Sequence, residues 1–352
     1  MGRVSVDLYP EQVGVSLAGV RSFNKSLGGS ATNVAVAAAR LGRRSAVITK
    51  VGADGFGAYV RKALEGFGVY AGWVGTDPRL RTPLAFCEVF PPDHFPLLFY
   101  REPKAPDLNL VAADFDGEAV ASTPLLWTTG TGLSDEPSRT TTLDAMRAHR
   151  GRIRIHDLDY RPMLWQDPAE ARRWAGDAVR LSTVVVGNQS EVEMATGTGE
   201  PEAAAAKLLD LGVQVAIVKL GPRGVFATDG RSSTVVPPVP VETLCGLGAG
   251  DAFGGALCHG LLAGWGLERL IRFANAAGAI VASRLACADA MPYTPEVEEL
   301  MAGEAGLPQQ PPPRLRAADV EHPERQLTRP GGAGPPSHEA EEADEVGEAG
   351  HG

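Results

Sequence analysis

The chain has 352 residues, 44% of them apolar and 22% charged, an ordinary globular balance with length for one large α/β domain or two smaller ones. Its net charge of −10 argues against a nucleic-acid or membrane-surface role, and ten acids and four arginines after position 303 carry −6 of it, leaving a nearly neutral body that does not repel an anionic substrate. No charged-then-apolar leader opens the chain and no apolar run approaches roughly 18 residues, while Cys87, Cys245, Cys258 and Cys287 form no C-x-x-C pair, so the expectation is a cytoplasmic protein with reduced thiols.

In chain order, residues of about 8 to 27 read as extended. The Ala-rich run Val34 to Leu41 reads as helix and, after Gly42, Ser45 to Val51 as a short strand. Residues of about 80 to 105 are extended again, broken by Pro83, Pro91, Pro92 and Pro96 and carrying Phe86, Phe90, Phe99 and Tyr100. The two extended stretches predict a small separate sheet acting as a lid over a cleft; the other reading makes them edge strands of the main sheet. Helix Ala169 to Leu181 and strand Thr183 to Gly187 follow, then helix Glu202 to Leu211 and strand Val213 to Leu220, and finally two helices, Asp251 to Ala263 and Glu268 to Arg284. Repeated helix and strand with continuous Val/Ile strands predicts a mostly parallel sheet covered on both faces. Residues 1–303 are expected to form one domain. From 304 to 352 the Pro-, Gly- and Glu-rich composition cannot bury enough apolar area to offset chain entropy, which predicts a disordered acidic tail.

The chemistry-bearing segments punctuate this pattern. Cys245-Gly246-Leu247-Gly248-Ala249-Gly250-Asp251 is a glycine-rich turn delivering an acid to the first turn of a small-residue helix. Glycines let the backbone approach an anion, the helix N-terminus offers unpaired N–H donors, and Asp251 stands where it could take a proton, a set suited to phosphoryl transfer. Taken alone it fits equally a tight loop with Asp251 as a helix N-terminal residue. Gly28 and Gly29, with Asn33 and Asp7, could hold the hydroxyls of a polyol, or form a turn in which Asn33 satisfies backbone groups. Asn188 and Glu191 after one strand, and Lys219, Gly221 and Gly224 after the next, belong near nucleotide phosphates and metal-bound water; a purine could sit between that turn and Asn275, whose other reading is helix-surface polarity. Neither turn is a Walker loop or a G-x-G-x-x-G fingerprint.

In this order and at these separations the segments resemble the ribokinase-like (PfkB-type) carbohydrate kinase family over about residues 1 to 300, through Gly-Gly-x-x-x-Asn at 28 to 33 and Gly-Ala-Gly-Asp at 248 to 251. The resemblance implies a ribokinase-like three-layer α/β/α sandwich with a β-strand lid, often paired between subunits as a homodimer, and an ATP- and Mg²⁺-dependent kinase. It implies that Asp251 is the general base, that the N–H groups of Gly248, Ala249 and Gly250 form an anion hole, and that Asn188 and Glu191 are an N-x-x-E motif, with Glu191 reaching Mg²⁺ through water. The runs from Met1 to Pro10, Phe99 to Leu108, Asp157 to Trp165 and Gly246 to Gly260 look like the inositol-catabolic branch, whose substrate is 5-dehydro-2-deoxygluconate. Arg101, Lys104 and Arg161 suit a carboxylate independently, each with the alternative of a surface charge or an ATP-phosphate contact. Arg161 in its Asp-x-Arg segment also resembles the 2-dehydro-3-deoxygluconate branch, where the Asp159 position lies nearer the nucleotide. A nucleotide- or sugar-sensing binding protein on the same fold is the reading from a different class.

Three departures stand out. The family usually has Asp or Asn where this chain has Cys245, beside a monovalent-cation loop, and a thiol is a poor K⁺ ligand; main-chain carbonyls still offer oxygen, so the expectation is weakened or altered K⁺ activation with catalysis kept. Met1 lies only six residues before Asp7, so a shortened first strand and a start site placed too far downstream are expected. The acidic tail has no role in the resemblance.

Overall fold

Apolar Val4 and Val6 alternate with polar Ser5 and Asp7 at the start of the chain, and this period of two builds β1 (Ser5–Pro10), paired antiparallel with β2 (Phe23–Gly28). The computed structural model describes residues 1–303, so the expected tail at 304–352 lies outside the described residues. After Gly29 come α1 (Ser30–Arg40), β3 (Thr49–Gly52), α2 (Gly55–Gly66), β4 (Val74–Asp77), β5 (Leu84–Cys87), β6 (Leu97–Tyr100) and α3 (Gly117–Ala121). Regular alternation then runs through β7 (Leu125–Thr129), α4 (Ser138–Ala148), β8 (Ile153–Asp157), α5 (Pro168–Leu181), β9 (Val184–Asn188), α6 (Gln189–Thr196), α7 (Pro201–Asp210) and β10 (Val215–Lys219). The chain continues with β11 (Val225–Thr228), β12 (Ser233–Val236), α8 (Ala249–Leu262), α9 (Leu267–Ala282) and α10 (Thr294–Ala302).

The alternation read from residue 169 therefore begins earlier, at β7. Ser45–Val51 yields regular strand only from Thr49, and residues 11–22 are turns rather than strand. Ahead of Thr49 the pairing is limited to an isolated bridge between Ala46 and Tyr70.

The six-stranded sheet has the order β12-β11-β10-β9-β8-β7; β7 to β10 run parallel, and β11 and β12 add an antiparallel edge. Side-chain alternation sorts the two faces. Val184, Val186 and Ile217 pack with the apolar faces of α1, α8 and α9, whereas Val185, Ala216 and Val218 pack with α5, α6 and α7. This is a three-layer α/β/α arrangement with a mostly parallel sheet. The parallel pair β3–β4 stands beside it, and the opening residues run between the two: the Met1 amino group donates to Trp127 O at 2.8 Å and Gly2 N to Ile48 O at 3.2 Å.

A separate four-stranded sheet, β2-β1-β5-β6, carries Ala85, Leu97 and Phe99 to one side of a cavity. On the far side α1 and α8 cross closely. A Cβ added to Gly255 would stand 2.3 Å from Ala37 Cβ, so the crossing distance depends on small residues in both helices. Among the described residues no helix is long and apolar enough to cross a membrane.

Candidate active site

The parallel strands finish in register at one edge of the six-stranded sheet: Thr129 pairs with Asp157, Asp157 with Val186, and Asn188 with Lys219. In open α/β sheets that edge is where ligands bind, because the strand ends and the loops beyond them form a crevice. Here the cavity is about 180 Å³, smaller than the roughly 300–1,000 Å³ of drug-sized ligands and suited to one small polar molecule. Five carboxylates (Asp7, Asp157, Asp159, Glu191 and Asp251) and three cations (Arg3, Arg161 and Lys219) line it.

Gly248 caps α8 with φ 83°, a left-handed conformation that glycine adopts without strain, and an added Cβ would stand 2.9 Å from Cys287 Sγ. That turn brings Gly248 and Gly250 to the cavity lining at the start of α8, where Ala249 N donates to Gly246 O at 3.4 Å, with Asp251 in the first helical turn. Asp251 keeps an opening to the cavity, and its carboxyl is pushed up to about 6, chiefly by desolvation; the hydrogen bond from Asn33 and the charges of Arg3 and Lys219 oppose the shift. With a value of about 6 the carboxyl is mostly ionised at neutrality, and beside a helix N-terminus it can accept a proton from a hydroxyl while the N–H donors there stabilise an anion.

At the opposite wall the Gly28–Gly29 turn brings β2 against Asp7. A Cβ on Gly28 would stand 2.0 Å from Asp7 Oδ1, so only glycine leaves the carboxylate its place. Asp7 accepts from Ser5 Oγ at 2.6 Å, and burial is the main reason its carboxyl is raised above the ordinary value. Asn33 Oδ1 is buried without a partner, an acceptor suited to a ligand hydroxyl.

Asp159 ties several elements together. Its Oδ2 accepts from Ser30 Oγ at 2.8 Å and Thr131 Oγ1 at 3.0 Å, and its Oδ1 lies 2.9 Å from Arg161 Nη2. Burial alone would raise its carboxyl, but Arg3, Arg161 and these hydroxyls outweigh burial and hold it below its usual value. Its backbone has φ 28°, uncommon for a non-glycine residue, in a loop held by many contacts. The resemblance sets Asp159 near the nucleotide; its observed partners are Ser30 at the start of α1, Thr131, Arg161 and, at 3.6 Å, Arg3.

Asp157 and Lys219 occupy the other end. Burial pushes the Asp157 carboxyl up to about 7, with Lys219 opposing and Glu191, Asp159 and Asp251 adding like charge. The Lys219 ammonium is raised, because the four carboxylates outweigh the effect of burial. Its Nζ lies 3.4 Å from where a Gly250 Cβ would be, next to the glycine-rich turn before α8. Asn188 and Glu191 form a reciprocal cap on α6: Asn188 Oδ1 accepts from Glu191 N at 2.9 Å, and Asn188 N donates to Glu191 Oε2 at 2.7 Å.

The remaining candidates lie away from the cavity lining. Lys104 pairs with Asp135 at 2.9 Å and donates to Glu136 O. Arg101 is buried against Asp107 at 2.5 Å, behind Phe99. Gly221 and Gly224 shape the turn between β10 and β11, and Asn275 Nδ2 donates to Pro237 O at 2.7 Å on the surface. Sequence reasoning passed over Arg3, Asp157, Phe99 and Cys287 as lining residues. Arg3 was readable from its period-two relation to Asp7, and Asp157 from its place at a strand end.

The donor set tests the implied metals differently. No group of three or more His, Cys, Asp or Glu among the described residues could hold an ion. The carboxylate-rich end at Asp157 and Glu191 does fit a Mg²⁺ that arrives with nucleotide phosphates and keeps its waters, the usual habit of that ion. Cys245 offers K⁺ nothing comparable: its side chain is buried among Tyr9, Cys87, Val89 and Cys287, and burial pushes its thiol up to about 11.

A family model described as pfkB family carbohydrate kinase matches residues 1–293. A 5-dehydro-2-deoxygluconokinase of Photobacterium profundum is 38% identical over 302 residues, covering 83% of this chain and 90% of that protein. One from Geobacillus kaustophilus is 30% identical over 310 residues, with 86% and 92% covered. Among solved structures, a fructokinase double mutant of Vibrio cholerae O395 with fructose, ADP and potassium ion bound superimposes with a TM-score of 0.76 at 27% identity, covering 85% of this chain and 96% of that one.

Proposed function

Because this chain belongs to the pfkB family of carbohydrate kinases, we propose that it transfers the γ-phosphoryl group of ATP to the 6-hydroxyl of 5-dehydro-2-deoxy-D-gluconate. The product is 6-phospho-5-dehydro-2-deoxy-D-gluconate, and the step belongs to myo-inositol degradation in the cytoplasm.

The observation that carries the reading is the meeting of Asp251, the Gly248–Gly250 turn and Asn33 in one cavity. Asp251 takes the proton of the acceptor hydroxyl as its oxygen attacks the γ-phosphorus in line. The N–H groups of Gly248, Ala249 and Gly250, with the positive end of α8, receive the charge spread over the transferring phosphoryl oxygens. Asp7 and Asn33 orient the polyol, and Lys219 stands on the phosphate side of the turn. When bound with the nucleotide, Mg²⁺ supplies neutralisation of phosphate charge, with Glu191 holding its water. The four-stranded sheet closes over the reactants and limits hydrolysis of ATP. Exposed Leu98 and Tyr100 on β6 give that sheet an apolar edge for a homodimer, which gel filtration with light scattering tests.

The test is ADP release with Mg·ATP against 5-dehydro-2-deoxygluconate, 2-dehydro-3-deoxygluconate, ribose and fructose. Selective turnover of the first supports the proposal; preference for the second moves the enzyme to that sugar-acid branch. Absence of turnover with all four, in folded protein that binds ATP, replaces catalysis by sensing. Asp251→Asn sharpens the distinction: an enzyme loses roughly 10²- to 10⁴-fold in kcat while retaining ATP affinity.

A further inference from the structure

Arg3 lies on the cavity wall four residues before Asp7. Arg3 stands two residues ahead of β1 and keeps the parity of Ser5 and Asp7, while Val4 and Val6 turn into the core, and Arg3 and Asp7 both line the cavity.

The partners of Arg3 are incomplete. Its side chain is only 11% exposed, and its nearest carboxylate oxygen, Asp159 Oδ2, stands 3.6 Å from Nε, beyond a hydrogen bond. That oxygen already accepts from Ser30 and Thr131, and Asp159 Oδ1 is occupied by Arg161. Arg3 Nε is accordingly buried with no hydrogen-bond partner. A buried guanidinium is costly unless its donors are met by hydrogen bonds, which the neighbouring carboxylates do not supply to this nitrogen. The Phe99 ring lies 5.7 Å from the Arg3 guanidinium carbon and limits its motion on the side of the four-stranded sheet.

Position separates this charge from the phosphate end. Lys219 stands by Gly250 at the start of α8, whereas Arg3 stands by Phe99, and Asp251 feels both. The other cations near Phe99 are less available. Arg101 pairs with Asp107 at 2.5 Å and does not line the cavity, and Arg161 lies 2.9 Å from Asp159 Oδ1 and is 39% exposed; each keeps an unpartnered Nε, but only Arg3 lacks a carboxylate within hydrogen-bond distance.

We propose that Arg3 is a specificity-determining residue whose guanidinium receives the carboxylate of the sugar-acid substrate and selects acids over neutral sugars. The inference rests on the kinase reading above and names the group that enforces its substrate class. A planar guanidinium matches a carboxylate with paired N–H donors, and its site here is already desolvated.

The experiment compares wild type, Arg3→Gln and Arg3→Lys with Mg·ATP and three acceptors: 5-dehydro-2-deoxygluconate, its uncharged primary amide, and fructose. KM is measured for acceptor and for ATP, and thermal midpoints identify folded variants. In Arg3→Gln the KM for the acid is expected to rise roughly 10- to 100-fold, with KM for ATP within about twofold. Its preference for acid over amide should collapse, and Arg3→Lys should restore part of it. If KM for ATP rises instead, Arg3 is a phosphate ligand and the proposal is overturned. It is equally overturned if Arg3→Gln keeps the wild-type preference for acid over amide. Wild-type discrimination between acid and amide reads the same point without any substitution: its absence refutes the proposal even if the Gln variant does not fold. Absence of wild-type turnover with the acid refutes the kinase reading on which the inference rests, so the two failures are told apart.

Discussion

Asn33 Nδ2 donates a 2.8 Å hydrogen bond to Asp251 Oδ2, joining two residues 218 positions apart at the first turns of α1 and α8. The bond favours the ionised form of Asp251, against desolvation that pushes the carboxyl up to about 6. The base works deprotonated, so kcat/KM should fall as pH drops through about 6. In Asn33→Ala the opposing hydrogen bond is gone and the acidic limb should move to higher pH, alongside a raised KM for the sugar acid. A pH–rate profile of the two proteins checks the direction; an unmoved limb would show that Asn33 does not tune the base.

Gly28→Ala tests the substrate wall. The added Cβ would lie 2.0 Å from Asp7 Oδ1, so the carboxylate must leave its position beside Ser5. Overpacking of this kind costs roughly 1–3 kcal/mol of stability. The expected kinetic result is a KM for the acceptor at least about tenfold higher with KM for ATP little changed, since one hydrogen bond to a charged group is worth that order. Equal change in both constants would mean a general distortion instead.

Asp157 should leave a mark on stability. Its carboxyl stands at about 7 in the fold, raised mainly by burial above the ordinary carboxylate value of 3.8, so the folded state retains a proton that the unfolded chain releases. The associated stability is fully present below the unfolded value and is lost as pH rises through about 7. Asp157→Asn removes that loss and should stabilise the protein more at about pH 7.5 than at about pH 6, measured by urea unfolding. A gain that is the same at both values contradicts the assignment.

Much of this architecture was legible in the chain. Val/Ile runs marked β9 and β10 because a strand buried on both faces has little room for polar residues, and the glycine turns marked both helix starts because their φ values or close contacts admit little else. Asp251 and Asn33 could be assembled because each sits beside such a turn, and Asp7 because it follows the first apolar run. Lys104 and Asn275 looked equivalent to the lining residues, since a lone polar residue carries no record of its partner; Asp135 and the Pro237 carbonyl came to light only in three dimensions. Arg3 was missed because it adjoins no glycine turn, and only its even spacing from Asp7 pointed to it.

Cys245 predicts a weak response to monovalent cations. Its buried thiol sits in an apolar cluster with Tyr9 and Cys287, whose hydroxyl and thiol are 2.8 Å apart, so this loop is braced by side-chain packing. Activity in K⁺-free buffer should lie within about twofold of that in K⁺, and Cys245→Asp, which restores a hard oxygen donor, should increase the dependence. Strong K⁺ activation of the wild type would show that main-chain carbonyls suffice.

The crossing of α1 and α8 acts as a gauge block. One helix carries Asn33 in its first turn and the other Asp251, the residues proposed to act on the acceptor, and their separation is fixed by Gly255 against Ala37, neither of which lines the cavity. A single methyl at that crossing would alter the gap across which oxygen must meet phosphorus. Re-aiming the enzyme at a longer or shorter acceptor is therefore a matter of shimming two helices as much as of recutting the cavity wall.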